Sequence, residues 1–452
     1  MVFNRGGDIQ KSIKYSNLYL YSSVLAIRSY VEQPVKTNDF IFLYNGEIYN
    51  NLESDTIFLK NIISEVIKDL GIKSYDNDLA EIKDPSETLQ KIYSKINFYQ
   101  NELALAIVFK NVLLFFKDDV GKKSLGLCKD KFQLSSVNYD IELNSAFLYS
   151  YDINSKALSS YKKKLVSIKY LLETCDYVAK YLLDPSFVFE TILGFDEMTK
   201  ETDIKKFDIK FKSAFKTRLT TNNLVVFFSG GVDSVLVALY LHLVSKKDQE
   251  IYLINTGFAN SHDRKTGVSA FNELKRVFPN RIWHFIKVDL NIEDIFKIKQ
   301  SIYKLIYPKT SKMDLNIGII LHFTSLEAKK YSKVCYLGSG ADELFCGYNK
   351  YKKEGFRHRM LFDTLTLSYH NLLRDDRIIS NNNIELRLPI LDTEIINESF
   401  LLDENFLYDG KQNKIMIREL LKLHGLESVC FVSKKAMQYG TGLNKYEDKF
   451  SN

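Results

Sequence analysis

From Leu18 to Asn138 the chain reads as short apolar runs and period-two alternation. Leu18–Leu25, Phe40–Tyr44, Leu103–Lys110, Asn111–Lys117 and Phe132–Val137 predict strands. Ile57–Gly71 breaks the pattern: Ile57, Ile62, Ile63, Val66, Ile67 and Leu70 repeat at helical spacing behind Ser54 and Asp55, residue types that cap helices. Two apolar runs flank Lys110-Asn111, and Asn tolerates the positive φ of a tight turn, so a hairpin is expected there. After Asn222 the pattern changes. Leu224–Phe228, Ile251–Asn255, His284–Val288 and Lys333–Leu337 are apolar runs separated by amphipathic stretches of helical period, which predicts a doubly wound parallel sheet. Tyr151–Leu165, rich in Lys and Ser, lacks alternation and reads as a connection. The expected organisation is a β-rich domain over 1–150, a connecting segment over 151–210 and an α/β domain over 211–452.

Composition narrows the classes. A chain of 452 residues holds two or three domains with sizeable cores. With 62 Lys and Arg against 56 Asp and Glu the net charge is 62 − 56 = +6. Spread over this length it gives no concentrated basic footprint, so a nucleic-acid partner is not expected. Cys128, Cys175, Cys335, Cys346 and Cys430 show no C-x-x-C spacing, so neither a zinc site nor a disulfide framework is suggested. Nothing in the sequence reads as a membrane span or a signal peptide, and a cytoplasmic location is the expectation.

Two motifs carry candidate chemistry. Ser229-Gly230-Gly231-Val232-Asp233-Ser234 stands between an apolar strand and a helix expected to begin near Val235. Paired glycines allow close approach to a ligand, while loop N–H groups, serine hydroxyls and a helix N-terminus converge on an anion, with pyrophosphate the natural guest. No Lys precedes Ser234, so this is not a Walker A loop. Asp233 would repel phosphate without an intervening cation, which points to Mg²⁺. Gly338-Ser339-Gly340-Ala341-Asp342 again follows a strand. In a doubly wound sheet the two loops share one crevice, so Asp342 is expected to meet Asp233 across a metal ion and pyrophosphate.

These motifs, with Glu385–Asp392, Lys414-x-x-x-Arg418 and Lys434–Gly442 in that order, resemble the synthetase domain of asparagine synthetases over about Asn222 to Gly442. In detail the chain is most similar to the asparagine synthetase domain-containing branch. The resemblance implies an ATP-pyrophosphatase domain that adenylates a carboxylate, aspartate first, with Mg-ATP and lets ammonia displace AMP. It implies that Ser229, Gly230, Gly231, Asp233, Ser234, Gly338 and Gly340 hold ATP and pyrophosphate, that Asp233 and Asp342 hold Mg²⁺, and that Lys434 or Lys435 touches the nucleotide phosphate. Arg28, Gln33-Pro34, Asn45–Asn50, Ser54–Thr56 and Lys117-Asp118-x-x-Gly121 are similar to a class II glutamine amidotransferase, an N-terminal nucleophile-like αββα sandwich. There Arg28, Glu47 and Asp55 would hold glutamine, and Asn45 with Gly46 would form an oxyanion hole.

Two positions depart from the family. Its glutaminase uses an N-terminal cysteine, whereas this chain starts Met1-Val2-Phe3, so the chain as given is expected to lack that activity. Between the two glycines of the second motif the family's Glu is replaced by Ser339, whose hydroxyl cannot exchange a proton at neutral pH as a carboxylate does. The expected partners are small molecules, with a homodimer left open. Two other readings stand beside this one: an interaction or regulatory protein on the same fold, and a tRNA-modifying ATP pyrophosphatase.

Overall fold

The strand Ile41–Tyr49 (β4) organises the N-terminal half of the computed structural model, which describes residues 5, 7–49, 54–74, 78–164, 202–351, 356–432 and 435–446. Two compact units divide the chain: Met1–Phe189 with Leu365–Arg377, and Glu190–Thr364 with Ile378–Asn452.

In the first unit, β1 (Ile9–Tyr15) and β2 (Leu18–Val24) form a separate hairpin, and β3 (Val35–Lys36) pairs with β4. Helices α1 (Asp55–Asp69) and α2 (Pro85–Asn97) precede β5 (Gln100–Val108) and β6 (Val112–Lys117). The short strands β7 (Gly126–Leu127), β8 (Leu134–Ser135) and β9 (Ile141–Glu142) form a small sheet, followed by β10 (Phe147–Asp152) and β11 (Leu158–Lys162). The main sheet runs β11-β10-β6-β5-β4-β3, and the pairings along it are antiparallel. Alternate residues of its strands feed two cores. Phe42, Leu105, Ile107 and Leu114 pack with α1 and α2, while Ile41, Ala104, Ala106 and Phe115 pack with Leu20, Leu125 and Leu143. Among the described residues the expected αββα sandwich is thus represented by one helical layer and the strands beneath it.

Three sequence readings need correction here. Tyr151–Leu165, read as a connection, carries β11, whose residues are mostly exposed and therefore leave no apolar alternation to see. Phe40–Tyr44 continues as strand through Asn45-Gly46 to Tyr49. The hairpin at Lys110-Asn111 forms, but Asn111 is not among the residues of positive φ. Its side chain instead brackets Ile82, accepting from the Ile82 N–H (3.0 Å) and donating to the Ile82 carbonyl (2.9 Å).

The second unit is built on β12 (Leu224–Phe227), β13 (Ile251–Gly257), β14 (Trp283–Asp289), β15 (Val334–Tyr336) and β16 (Glu385–Arg387). Its order is β14-β13-β12-β15-β16, with all pairs parallel. Every residue of β12 and β15 is buried, as strands covered on both faces must be. Helices α3 (Ile204–Thr217), α4 (Val232–Val244), α5 (His262–Val277), α6 (Ile292–Ile306) and α7 (Lys312–Ala328) alternate with the strands. The strand order reverses between β12 and β15, and ligands of such sheets bind outside the carboxyl ends at that point. No described helix is long and apolar enough to cross a membrane.

Candidate functional site

The chain leaves β12 through Ser229-Gly230-Gly231 and enters α4 at Val232, three residues earlier than the sequence suggested, so Asp233 and Ser234 lie in the first helical turn. Gly230 has φ +83, and a Cβ there would stand 2.4 Å from the Gly267 nitrogen on α5; only glycine fits. Serine hydroxyls organise the loop. Gly230 N–H donates to Ser234 Oγ (3.1 Å), Gly231 N–H donates to Ser229 Oγ (3.3 Å), and Ser234 Oγ donates to the Gly231 carbonyl (3.0 Å). Thr266 Oγ1 on α5 donates to the Ser229 carbonyl (3.0 Å), fixing the loop from the β13 side. Gly231 is the N-cap of α4 and supplies no side-chain cap, so the helix presents its N-terminal dipole uncovered by a side chain.

Across the switch point, Gly338 follows β15 closely enough that a Cβ on it would lie 2.9 Å from the Asp233 Cβ. Gly340 caps the short helix α8 (Ala341–Leu344) at φ +92, and its α-carbon lies against Leu391, which a Cβ would meet at 2.3 Å. That contact gives Glu385–Asp392 a structural task beneath the second motif. Asp392 also accepts from Arg218 Nη1 (2.6 Å) and from the Glu394 N–H (3.0 Å). Ser339 is half-buried between the two glycines.

The two acidic residues meet, and between them stands a lysine. Lys414 Nζ lies 2.7 Å from Asp233 Oδ1, 2.6 Å from Asp233 Oδ2 and 2.6 Å from Asp342 Oδ1. Its side chain is 1% exposed. Burial alone would lower the ammonium, but the carboxylates of Asp233 and Asp342 outweigh it and raise it to about 12. Lys414 is the N-cap of α9 (Ile415–Leu423) at φ +57. Arg418, one turn on, donates from Nε to the Asn413 carbonyl (2.7 Å) and from Nη1 to the Cys430 carbonyl, clamping the backbone on both sides of α9. In the sequence Lys414 and Arg418 were visible only as parts of a motif without a role. The donor set suits a hard divalent cation: two carboxylates, with phosphate oxygens to complete the shell. Among the described residues no group of three or more His, Cys, Asp or Glu could hold a metal by itself.

A further carboxyl had no signal in the sequence. Asp263, in the first turn of α5, shares a helical face with Thr266 and Gly267, the residues that touch the glycine loop. It is 6% exposed. Burial raises its carboxyl to about 7, opposed by the Lys435 charge. Lys435 itself is exposed; Lys434 lies outside the described residues. The turn Met437–Gly440 seats on the β13–α5 connection, where the Phe258 N–H donates to the Thr441 carbonyl (3.1 Å).

In the first unit the predicted residues also converge. Arg28 Nη1 lies 3.1 Å from Asp55 Oδ1, and Nη2 lies 3.1 Å from Glu47 Oε2. Ser54 caps α1, accepting from the Ile57 N–H, and so sets Asp55 in the first turn. Gly46 adopts φ +124 opposite Leu103, and a Cβ would lie 1.7 Å from the Glu102 carbonyl oxygen. Asn45, one residue earlier on β4, buries its Nδ2 with no hydrogen-bond partner among the described residues. Asn50 lies outside them. Asp118 serves the backbone instead, accepting from the N–H groups of Val120 (3.1 Å) and Gly121 (3.0 Å).

An asparagine synthase family model matches residues 206–361 and 352–449, more than half of the chain. An asparagine synthetase domain-containing protein of Saccharomyces cerevisiae is 26% identical over 487 residues, covering 95% of this chain and 84% of the relative. One from Drosophila melanogaster is 25% identical over 539 residues, covering 97% and 92%. A glutamine-hydrolyzing asparagine synthetase of Gallus gallus is 26% identical over 391 residues, covering 80% and 65%. With its glycine loop, second motif and C-terminal lysine motif gathered at one switch point, the chain belongs to the asparagine synthase family.

Proposed function

We propose that this chain is an ATP-dependent ligase of amidotransferase type that adenylates a carboxylate, aspartate first, and lets ammonia displace AMP. The observation that carries this reading is the convergence of Asp233 and Asp342 on Lys414, beside a helix N-terminus that no side chain caps. A carboxylate oxygen attacks the α-phosphorus, and the bond to the bridging oxygen breaks with its electron pair leaving on pyrophosphate. The α4 N-terminus and the Ser229 hydroxyl would receive the departing anion, joined by Ser234 once its hydroxyl turns from the Gly231 carbonyl. Asp233 and Asp342 would hold Mg²⁺, which when bound supplies positive charge against the phosphate oxygens. Ammonia then attacks the acyl carbon, the bond to AMP breaks, and the nitrogen gives up a proton.

In the first unit Arg28, Asn45, Glu47 and Asp55 would form an amino-acid site of glutamine amidotransferase kind. Arg28 would meet an α-carboxylate, Glu47 and Asp55 an α-ammonium, and Asn45 Nδ2, which has no hydrogen-bond partner among the described residues, a carbonyl oxygen. Ser339 favours a second reading, a regulatory protein that binds ATP without turning it over. Calorimetric titration of Mg-ATP into wild type, Asp233→Asn and Asp342→Asn tests the site: both variants are expected to bind at least about tenfold more weakly. Equal affinity in all three would remove the assignment, and binding without turnover would select the regulatory reading.

A further inference from the structure

An ammonium group carries three N–H donors and no acceptor. Lys414 meets three carboxylate oxygens at 2.6–2.7 Å, two from Asp233 and one from Asp342, which matches its donors one for one. We propose that Lys414 is a resident cation that fills the acidic pair, so that a divalent metal ion enters this crevice only together with a polyphosphate and not as the free ion.

The lysine is fixed there rather than visiting. Its backbone sits in the left-handed region at φ +57, at the start of α9. The residue before it, Asn413, donates from Nδ2 to the Gly347 carbonyl (2.9 Å), and the Gly347 N–H in turn donates to the Asp342 carbonyl (2.7 Å). Gly347 fills the remaining space: a Cβ on it would stand 2.5 Å from Lys414 Cε and 2.0 Å from Asp342 Oδ1. The stem is therefore packed against Gly347 and is 1% exposed, while the carboxylates stay partly open, with side-chain exposures of 28% for Asp233 and 22% for Asp342.

Charge decides what can enter. These two carboxylates and Lys414 together carry one negative charge, and three of the four carboxylate oxygens are already engaged by the ammonium. A free divalent ion would have to share those oxygens at close range with a buried positive charge, and no third carboxylate, His or Cys in the described residues offers compensation. A polyphosphate brings the missing negative charge and the missing oxygens, and its own charge meets Lys414 as well as the metal. Lys414 thus acts as a positioning residue that keeps Asp233 and Asp342 together before the nucleotide arrives. This rests on the reading of the crevice as a nucleotide site, but its test needs no nucleotide.

The test is titration of Mn²⁺ into the nucleotide-free full chain, with free Mn²⁺ read by electron paramagnetic resonance. Wild type is expected to leave Mn²⁺ free over the range in which Lys414→Met takes up one equivalent, a difference of at least about tenfold in affinity. Adding Asp342→Asn to Lys414→Met should abolish the uptake. With pyrophosphate present, wild type should retain Mn²⁺ and pyrophosphate together in equilibrium dialysis, in excess of the Mn-pyrophosphate on the protein-free side, whereas no retention would overturn the proposal. Uptake by wild type without pyrophosphate as tight as by Lys414→Met would overturn the proposal, as would a folded Lys414→Met that takes up none. If Lys414→Met fails to fold, the wild-type arms with and without pyrophosphate still decide. Success here with no ATP binding would overturn the nucleotide reading alone.

Discussion

Gly440 lies flat against the carboxyl group of Asp263: a Cβ at 440 would stand 2.0 Å from Asp263 Oδ1. That seal helps to keep Asp263 6% exposed, and burial raises its carboxyl from 3.8 to about 7 against the opposing Lys435 charge. Other charges around it are engaged or exposed. Arg264 turns to the Asn255 carbonyl and to Asp289, and His262 Nδ1 is 3.5 Å away.

A folded pKa above the unfolded one means that the native state holds the proton through that interval, so stability falls as pH rises from about 4 to 7. Asp263→Asn removes the buried charge while keeping the shape. It is expected to raise stability by about 4 kcal/mol at pH 8, the roughly three-unit shift at 1.36 kcal/mol per unit, and by almost nothing at pH 4. Urea melts at the two pH values measure this; an equal effect at both would show that Asp263 is not held protonated.

Gly46 and Gly71 both sit at positive φ, but in different surroundings. The Cβ that would strike the Glu102 carbonyl at position 46 meets nothing within 4 Å at position 71. Gly46→Ala is expected to cost about 3 kcal/mol or more, strain and overlap together, against about 1 kcal/mol for Gly71→Ala. Comparable urea midpoints for the two variants would contradict the close approach of β4 to β5.

Arg28 is the only cation that an ion pair brings to both Glu47 and Asp55 among the described residues. Arg28→Met should therefore lower stability by about 1–3 kcal/mol through two carboxylates left without it. It should also weaken L-glutamine binding at least about tenfold by calorimetry. Arg28→Lys should not restore binding, because one ammonium cannot reproduce the fork. Glutamine binding unchanged in Arg28→Met would place any amino-acid site elsewhere.

Much of this arrangement was legible in sequence, for identifiable reasons. β12 and β15 are buried on both faces and so read as continuous apolar runs, and the glycine loops announce themselves by position after each. β16 was not legible: it has three residues, and its polar ends, Glu385 and Arg387, pair with each other at 2.9 Å instead of marking a surface. Asn45-Gly46 has the letters of a turn but lies within β4, because the glycine allows an approach that pairing with β5 requires. Lys414 is 181 residues from Asp233, and the Lys414-x-x-x-Arg418 spacing marks it as part of a motif without telling what it touches. Its meaning comes only from the strand order that brings the loops after β12 and β15 to one crevice.

The most direct measurement is the identity of the nucleotide products. With Mg-ATP, aspartate and ammonium, phosphorus NMR should show AMP and pyrophosphate appearing in equal amounts. Their release should fall by at least about 100-fold in Asp233→Asn, since loss of the charge facing the phosphates removes transition-state stabilisation. ADP and orthophosphate as the products, or AMP and pyrophosphate released undiminished by Asp233→Asn, would contradict the account.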